Sequence, residues 1–191
     1  MNVPHAPNSS TIDQQDLAVI ITGGTLDKVY HPERGELGFS TSIVPELLRA
    51  CRLHREPHYE TPFMLDSLDM QKEQRQKISK LCQELPSQNI LITHGTDTMV
   101  ETALCIENSL CLEKIEKTII LTGAMVPARL PQSDAPFNLG YALSCLDHLS
   151  AGVYIAMNGR VFSPQHCRKD REKGIFNDHI KNHDSLTDHY S

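Results

Sequence analysis

IITGGTLDK (residues 20–28) ends an apolar run with two glycines and a threonine. The residues leading into it, Leu17–Thr22, are continuously apolar up to the final threonine, the character of a strand buried on both faces in a parallel sheet. A glycine pair at the carboxyl end of such a strand either cradles a phosphate or turns the chain so that Thr25 is presented. Neither GxGxxG nor GxxxxGK[ST] can be written on GGTLDKVYHPERG, so the phosphate reading is weak. From this fragment alone, a plain chain reversal stands equal to any functional reading.

Moving outward, short apolar runs alternate with segments of helical period. Leu17–Thr22, Pro62–Leu65, Asn89–Thr93, Thr118–Thr122 and Gly152–Met157 read as strands, with helices near 43–54, 71–85, 98–112 and 136–149. In the third helix Met99, Ala103, Ile106 and Leu110 share one face, while Glu101, Asn108 and Glu113 lie largely off it. This alternation predicts right-handed crossovers and an α/β fold: a three-layer αβα arrangement with a mostly parallel sheet, Rossmann-like or flavodoxin-like. Residues 1–16 read as a flexible leader, 17–169 as the folded domain, and 170–191 as a charged tail with few apolar anchors.

With 191 residues, the chain suits one domain with a real core. Its 24 acidic and 18 basic side chains give a net charge of −6 without a basic stripe, which excludes the usual nucleic-acid binder. The apolar runs are too short to span a bilayer, so a soluble, cytoplasmic protein without membrane contact is expected. The six cysteines show neither CxxC nor zinc spacing and read as small apolar residues.

In sheets of this kind functional loops gather outside the carboxyl ends of the strands. IITGGT, ILITHGTDT and IILTGAM end there in hydroxyl- and glycine-containing turns, and PFMLDS ends in Asp66 and Ser67. A threonine hydroxyl needs a positioned base to act as a nucleophile, and the oxyanion it creates needs donors aimed at it. His94, Thr96 and Asp97 lie at the same sheet edge as Thr25, with the N–H groups near Gly95 and Thr96 as candidate oxyanion donors. Asp97 also has the position of a helix cap, as does Asp69 ahead of the helix at 71–85.

TGGTLDK, HGTDT and LTGAMVP followed by SDAPFN resemble the bacterial-type L-asparaginase/glutaminase family, which hydrolyses the side-chain amide of asparagine. The resemblance runs from about Leu17 to Lys169, and the order and spacing of its motifs make it specific. It implies that Thr25 attacks the amide carbon, with Thr96, Asp97 and Lys169 as the second hydroxyl, carboxylate and lysine. Asp97 also takes the substrate's α-ammonium. A buried lysine held by a carboxylate is able to accept a threonine's proton. The alignment of Lys169 leaves Arg168 and Arg171 as alternative occupants.

The same resemblance places Tyr30 on a mobile loop, DKVYHPERGELGFSTS, that closes over the site; a tyrosine that only packs beside the turn is the alternative. Ser67 matches the serine that binds the substrate α-carboxylate. Leu68 replaces a frequent glutamine and Asp66 a common glycine, so that grip is weakened or rebuilt. Gly95 and Ala124 complete the substrate-binding set, and Asp134 and Asn138 are scaffold.

Longer members carry a second, smaller C-terminal domain, so the chain reads as a short, single-domain asparaginase, with the tail, the lid or another protomer closing the site. A homodimer or higher homo-oligomer is expected. No cofactor and no metal are implied, although His179 and His183 are four apart, so that a helix would put these two on one face, and His189 follows. The alternative function is a catalytically weak sensor that binds asparagine or aspartate. A nucleotide-binding module, lacking its fingerprint, ranks third.

Overall fold

The computed structural model describes residues 16–178 except 55 and 112–115. The expected leader, apart from Asp16, and tail residues 179–191, including the three histidines, lie outside the described residues. Three layers surround a six-stranded sheet. Strand β1 (Leu17–Ile21) is fully buried along its length and lies inside the sheet. After it come a hairpin of β2 (Lys28–His31) and β3 (Glu36–Phe39), helix α1 (Val44–Ala50) and a short strand β4 (His58–Glu60). Helix α2 (Lys72–Glu84), β5 (Asn89–Thr93), α3 (Met99–Cys111), β6 (Thr118–Thr122), α4 (Ala135–Leu146) and β7 (Gly152–Met157) continue the alternation. The described chain closes with β8 (Arg160–Phe162) and a hairpin of β9 (Cys167–Asp170) and β10 (Ile175–Asp178).

The sheet order is β4-β1-β5-β6-β7-β8, parallel throughout except for the antiparallel β7–β8 pair. Numbering only the parallel strands in chain order gives 2-1-3-4-5, the flavodoxin-like winding. The order reverses between β1 and β5, the position at which sheets of this winding generally take a ligand, and the turns after those two strands meet there. Alternation along β1 divides the core: Ala18 and Ile20 face α2, α3 and the β9–β10 hairpin, whereas Leu17, Val19 and Ile21 face α1 and α4. Met99, Ala103, Ile106 and Leu110 are buried together on the first side, as the helical spacing predicts. Burying each such side chain contributes about 1.5–3 kcal/mol.

Three expectations are corrected. The strand expected at Pro62–Leu65 lies earlier, at His58–Glu60, pairing with Ala18, Val19 and Ile20. Pro62 has no N–H for a ladder, and Leu65 instead forms a single bridge to Gly23, with its own N–H donating to the Thr22 carbonyl. Asp69 does not cap α2; Gln71 does, in a reciprocal capping box with Gln74. The charged segment after residue 169 also begins inside β9, and its first part folds back as β10. Phe176 there is 2% exposed and packs into the core beside Phe162, and its N–H donates to Asn158 Oδ1 at 2.9 Å. Cys167 of β9, also buried in that core cluster, docks the hairpin together with Phe176.

Candidate active site

The turn after β1 is built by two glycines in left-handed backbone, Gly23 at φ 93° and Gly24 at φ 74°. Gly24 lies directly against Gly95 of the turn after β5: a Cβ on Gly24 would stand 2.4 Å from Gly95 Cα. A Cβ on Gly95 would in turn meet Ser67 Oγ at 2.5 Å. These contacts set Thr25, Thr96 and Ser67, each adjacent to or part of a close contact, at one point of the sheet edge. Thr25 is half-buried at the start of a single 3-10 turn, and its carbonyl accepts the Lys28 N–H.

Thr96 is buried, and its hydroxyl oxygen accepts a hydrogen bond from Lys169 Nζ at 2.7 Å. The same ammonium donates to Asp97 Oδ1 at 3.0 Å. Lys169 reaches this position from β9 with its side chain 14% exposed. Arg168 is exposed on that strand, and Arg171 approaches Asp97 Oδ1 only at 3.5 Å from the surface. The cation on the Thr96 hydroxyl is therefore Lys169. Asp97 is directed at Lys169 rather than serving as a helix cap.

Asp66 lies across from this trio. Burial works against its charge, but the Lys28 ammonium at 2.5 Å, the Leu68 N–H at 3.0 Å and the field of Lys169 outweigh it and hold its carboxyl below the usual range. The neighbouring Ser67 Oγ is buried with no hydrogen-bond partner. Two expected participants are placed apart. Tyr30 is 54% exposed on the β2–β3 hairpin, and its side chain makes no hydrogen bond among the described residues. Ala124 is fully buried, main chain included, in the α1/α4 core, so a ligand would reach it only if the neighbouring turns moved.

The scaffold is specific. Asp134 accepts the Met125 and Val126 N–H groups at 3.0 Å, and Asn138 bridges Asp134, the Gly123 carbonyl and the Asn158 N–H. These bonds fix the GAM turn. Asp27 ties the base of the β2–β3 hairpin to the start of α1, its Oδ1 accepting the Ser42 hydroxyl and the Ile43 N–H; burial raises its carboxyl above the usual range despite those bonds. No group of three or more acidic, histidine or cysteine side chains suited to a metal occurs among the described residues.

His94 is wholly enclosed. Its Nδ1–H donates to the Gly95 carbonyl at 2.7 Å, which leaves Nε2 to accept the Thr102 hydroxyl at 2.9 Å. Burial pushes its imidazole from 6.5 down to about 4, against the Gly95 bond and with help from Arg75. The unfolded chain therefore takes up this proton first as pH falls. The group's contribution is intact above about pH 6.5 and is lost progressively toward pH 4, by about 3 kcal/mol. Urea unfolding at pH 7 and pH 4 is expected to show that loss in the native protein and much less of it in His94→Gln. Equal acid losses would place the sensitivity elsewhere.

A family model described as "Asparaginase, N-terminal" matches residues 16–176. The chain belongs to the asparaginase family. A probable periplasmic L-asparaginase of Haemophilus influenzae is 31% identical over 193 residues, covering 93% of this chain and 53% of the relative. L-asparaginase 1 of Escherichia coli is 33% identical over 172 residues, covering 86% and 50%. The solved thermostable L-asparaginase of Thermococcus kodakarensis superposes with a TM-score of 0.72 at 28% identity, covering 85% of this chain and 50% of that one. This asparaginase-family chain thus spans about half the length of the curated relatives it matches. Among its described residues no helix is long and apolar enough to cross a membrane.

Sequence reasoning missed Lys28, whose signal is a lysine immediately after TLD, and weighed Arg171 only as a substitute for Lys169 rather than as a second cation near Asp97. Both matter only through pairings between distant segments.

Proposed function

We propose that the protein is an amidohydrolase that converts L-asparagine to L-aspartate and ammonia through a threonine acyl-enzyme. The observation that carries this reading is the Lys169 ammonium shared between the Thr96 hydroxyl and the Asp97 carboxylate, at the switch point where Thr25 also emerges. Thr25 Oγ attacks the amide carbon, and its proton passes by way of the Thr96–Lys169 pair to the nitrogen, which leaves as ammonia. Water then attacks the ester, aspartate departs, and the threonine regains its proton. The Gly95 and Thr96 N–H groups hold the oxyanion. Asp97, with Ser67 and Asp66, receives the amino-acid end of the substrate, and Ala124 takes part only if the neighbouring turns move. Closure of the β2–β3 hairpin brings Tyr30 over Thr25.

The names of the relatives support the substrate class: L-asparaginases, and a glutaminase-asparaginase of Pseudomonas aeruginosa at 25% identity. A cytoplasmic location is in keeping with free thiols at Cys51, Cys82, Cys105, Cys145 and Cys167. A homodimer or larger homo-oligomer completes the proposal. Ammonia release should be measured with asparagine, glutamine and N-substituted amides. Release from asparagine is the expected result. Calorimetric binding of asparagine or aspartate without ammonia, even at high protein concentration, would replace the enzyme with an amino-acid sensor.

A further inference from the structure

We infer that Lys28 is a specificity-determining residue whose ammonium selects substrates with a free carboxylate at the amino-acid end, a role that rests on the amidohydrolase reading above. Lys28 is the residue on which the 3-10 turn begun by Thr25 closes, and it opens the lid hairpin. Asp66 Oδ2 is the single hydrogen-bond partner of its ammonium among the described residues, and an ammonium carries three donors. Two donors therefore remain at a site that is about a quarter exposed.

Three further observations point the same way. Ser67, next to Asp66, has a buried hydroxyl with no partner, a polar atom that a ligand oxygen would satisfy. The Leu68 N–H, a natural donor for a carboxylate at this turn, is already taken by Asp66 Oδ1. Asp66 also places a negative charge beside the serine, and the lowered carboxyl keeps it there. A carboxylate entering this corner would be repelled unless Lys28 offset it. With Lys28, Lys169 and Arg171 set against Asp66 and Asp97, the balance of the corner is one positive charge. Asp66 thus orients Lys28, and Lys28 with Ser67 takes over the grip left open by Leu68.

The alternative is a latch that only fastens the hairpin to the 65–70 loop. The two roles separate in a pair of variants, because Lys28→Met and Asp66→Asn both break a latch but only the first removes the cation. The measurement is kcat/KM for L-asparagine relative to its α-carboxamide, aspartic diamide. Lys28→Met is expected to lower that ratio roughly 10- to 100-fold, mainly through KM for asparagine. Asp66→Asn, which keeps the cation and removes the opposing charge, should leave the ratio at or above native, and Lys28→Arg should restore most of it.

The double variant Lys28→Met/Asp66→Asn removes any unpaired Asp66 charge and should still show the low ratio. Equal ratios in Lys28→Met and native protein, or equal losses in both single variants, would overturn the inference while leaving the amidohydrolase reading intact. If the native protein releases no ammonia, that reading fails instead, and calorimetric titration with aspartate and its α-carboxamide puts the same comparison to the variants. Failure of native protein to bind aspartate more tightly than the carboxamide would then overturn the role of Lys28 as well.

Discussion

Thr25→Ala is expected to reduce ammonia release from asparagine by about 10⁴-fold or more, while its urea-unfolding midpoint stays within experimental error of native. Two facts make this a clean deletion. Thr25 is half-buried, and its anchoring bond to Lys28 is made through its main-chain carbonyl, so removing the hydroxyl leaves the turn held. Covalent chemistry has no route without its nucleophile, and residual rate comes only from oriented water and the oxyanion donors. Lys169→Met should cost less, about 10²–10⁴-fold, the span usual for a proton-transfer group. Because Lys169 and Thr96 share one hydrogen bond, combining Lys169→Met with Thr96→Val should lower the rate little beyond the worse single variant. Turnover retained in Thr25→Ala would assign the nucleophile elsewhere.

Gly24→Ala is expected to destabilise the fold by about 4 kcal/mol or more, enough to leave much of a marginal domain unfolded. At φ 74° and ψ −175° this backbone lies in a region almost reserved for glycine. The added methyl would also press on the Gly95 and His94 main chain, which cannot rotate away as a side chain can. Thermal or urea unfolding measures the loss. By contrast, Gly35→Ala meets nothing within 4 Å and pays only for its positive φ. Similar stabilities for the two variants would show that the Gly24–Gly95 contact is not structurally decisive.

What the chain disclosed before folding follows from where each signal is stored. Strands β1, β5, β6 and β7 were legible because burial on both faces makes each a continuous apolar run. Pro62–Leu65 imitated that signal, since Phe63 and Met64 are apolar for packing from a loop, while the true strand HYE is short and polar. The β2–β3 hairpin was read as a loop because its residues are mostly solvated and alternate weakly. Thr25, Thr96 and Asp97 could be found from their positions at strand ends. Lys169 could not be found that way: it lies among other cations, and only the family resemblance singled it out. Lys28–Asp66 joins residues 38 apart, a pairing no local pattern encodes.

The docking of the β9–β10 hairpin by Phe176 also sets a sequence in time. During synthesis the ribosome releases Thr25 and later Thr96 well before Lys169, which follows Thr96 by 73 residues. The Thr96–Lys169 contact thus spans a long stretch of chain, and Lys169 lies on a hairpin strand that follows β7, so the contact is expected to form late. A nascent chain carries its hydroxyls early but lacks the cation that is proposed to couple them to proton transfer. Onset of turnover would then report completed folding, and a slowly docking hairpin would delay it without altering the steady-state rate.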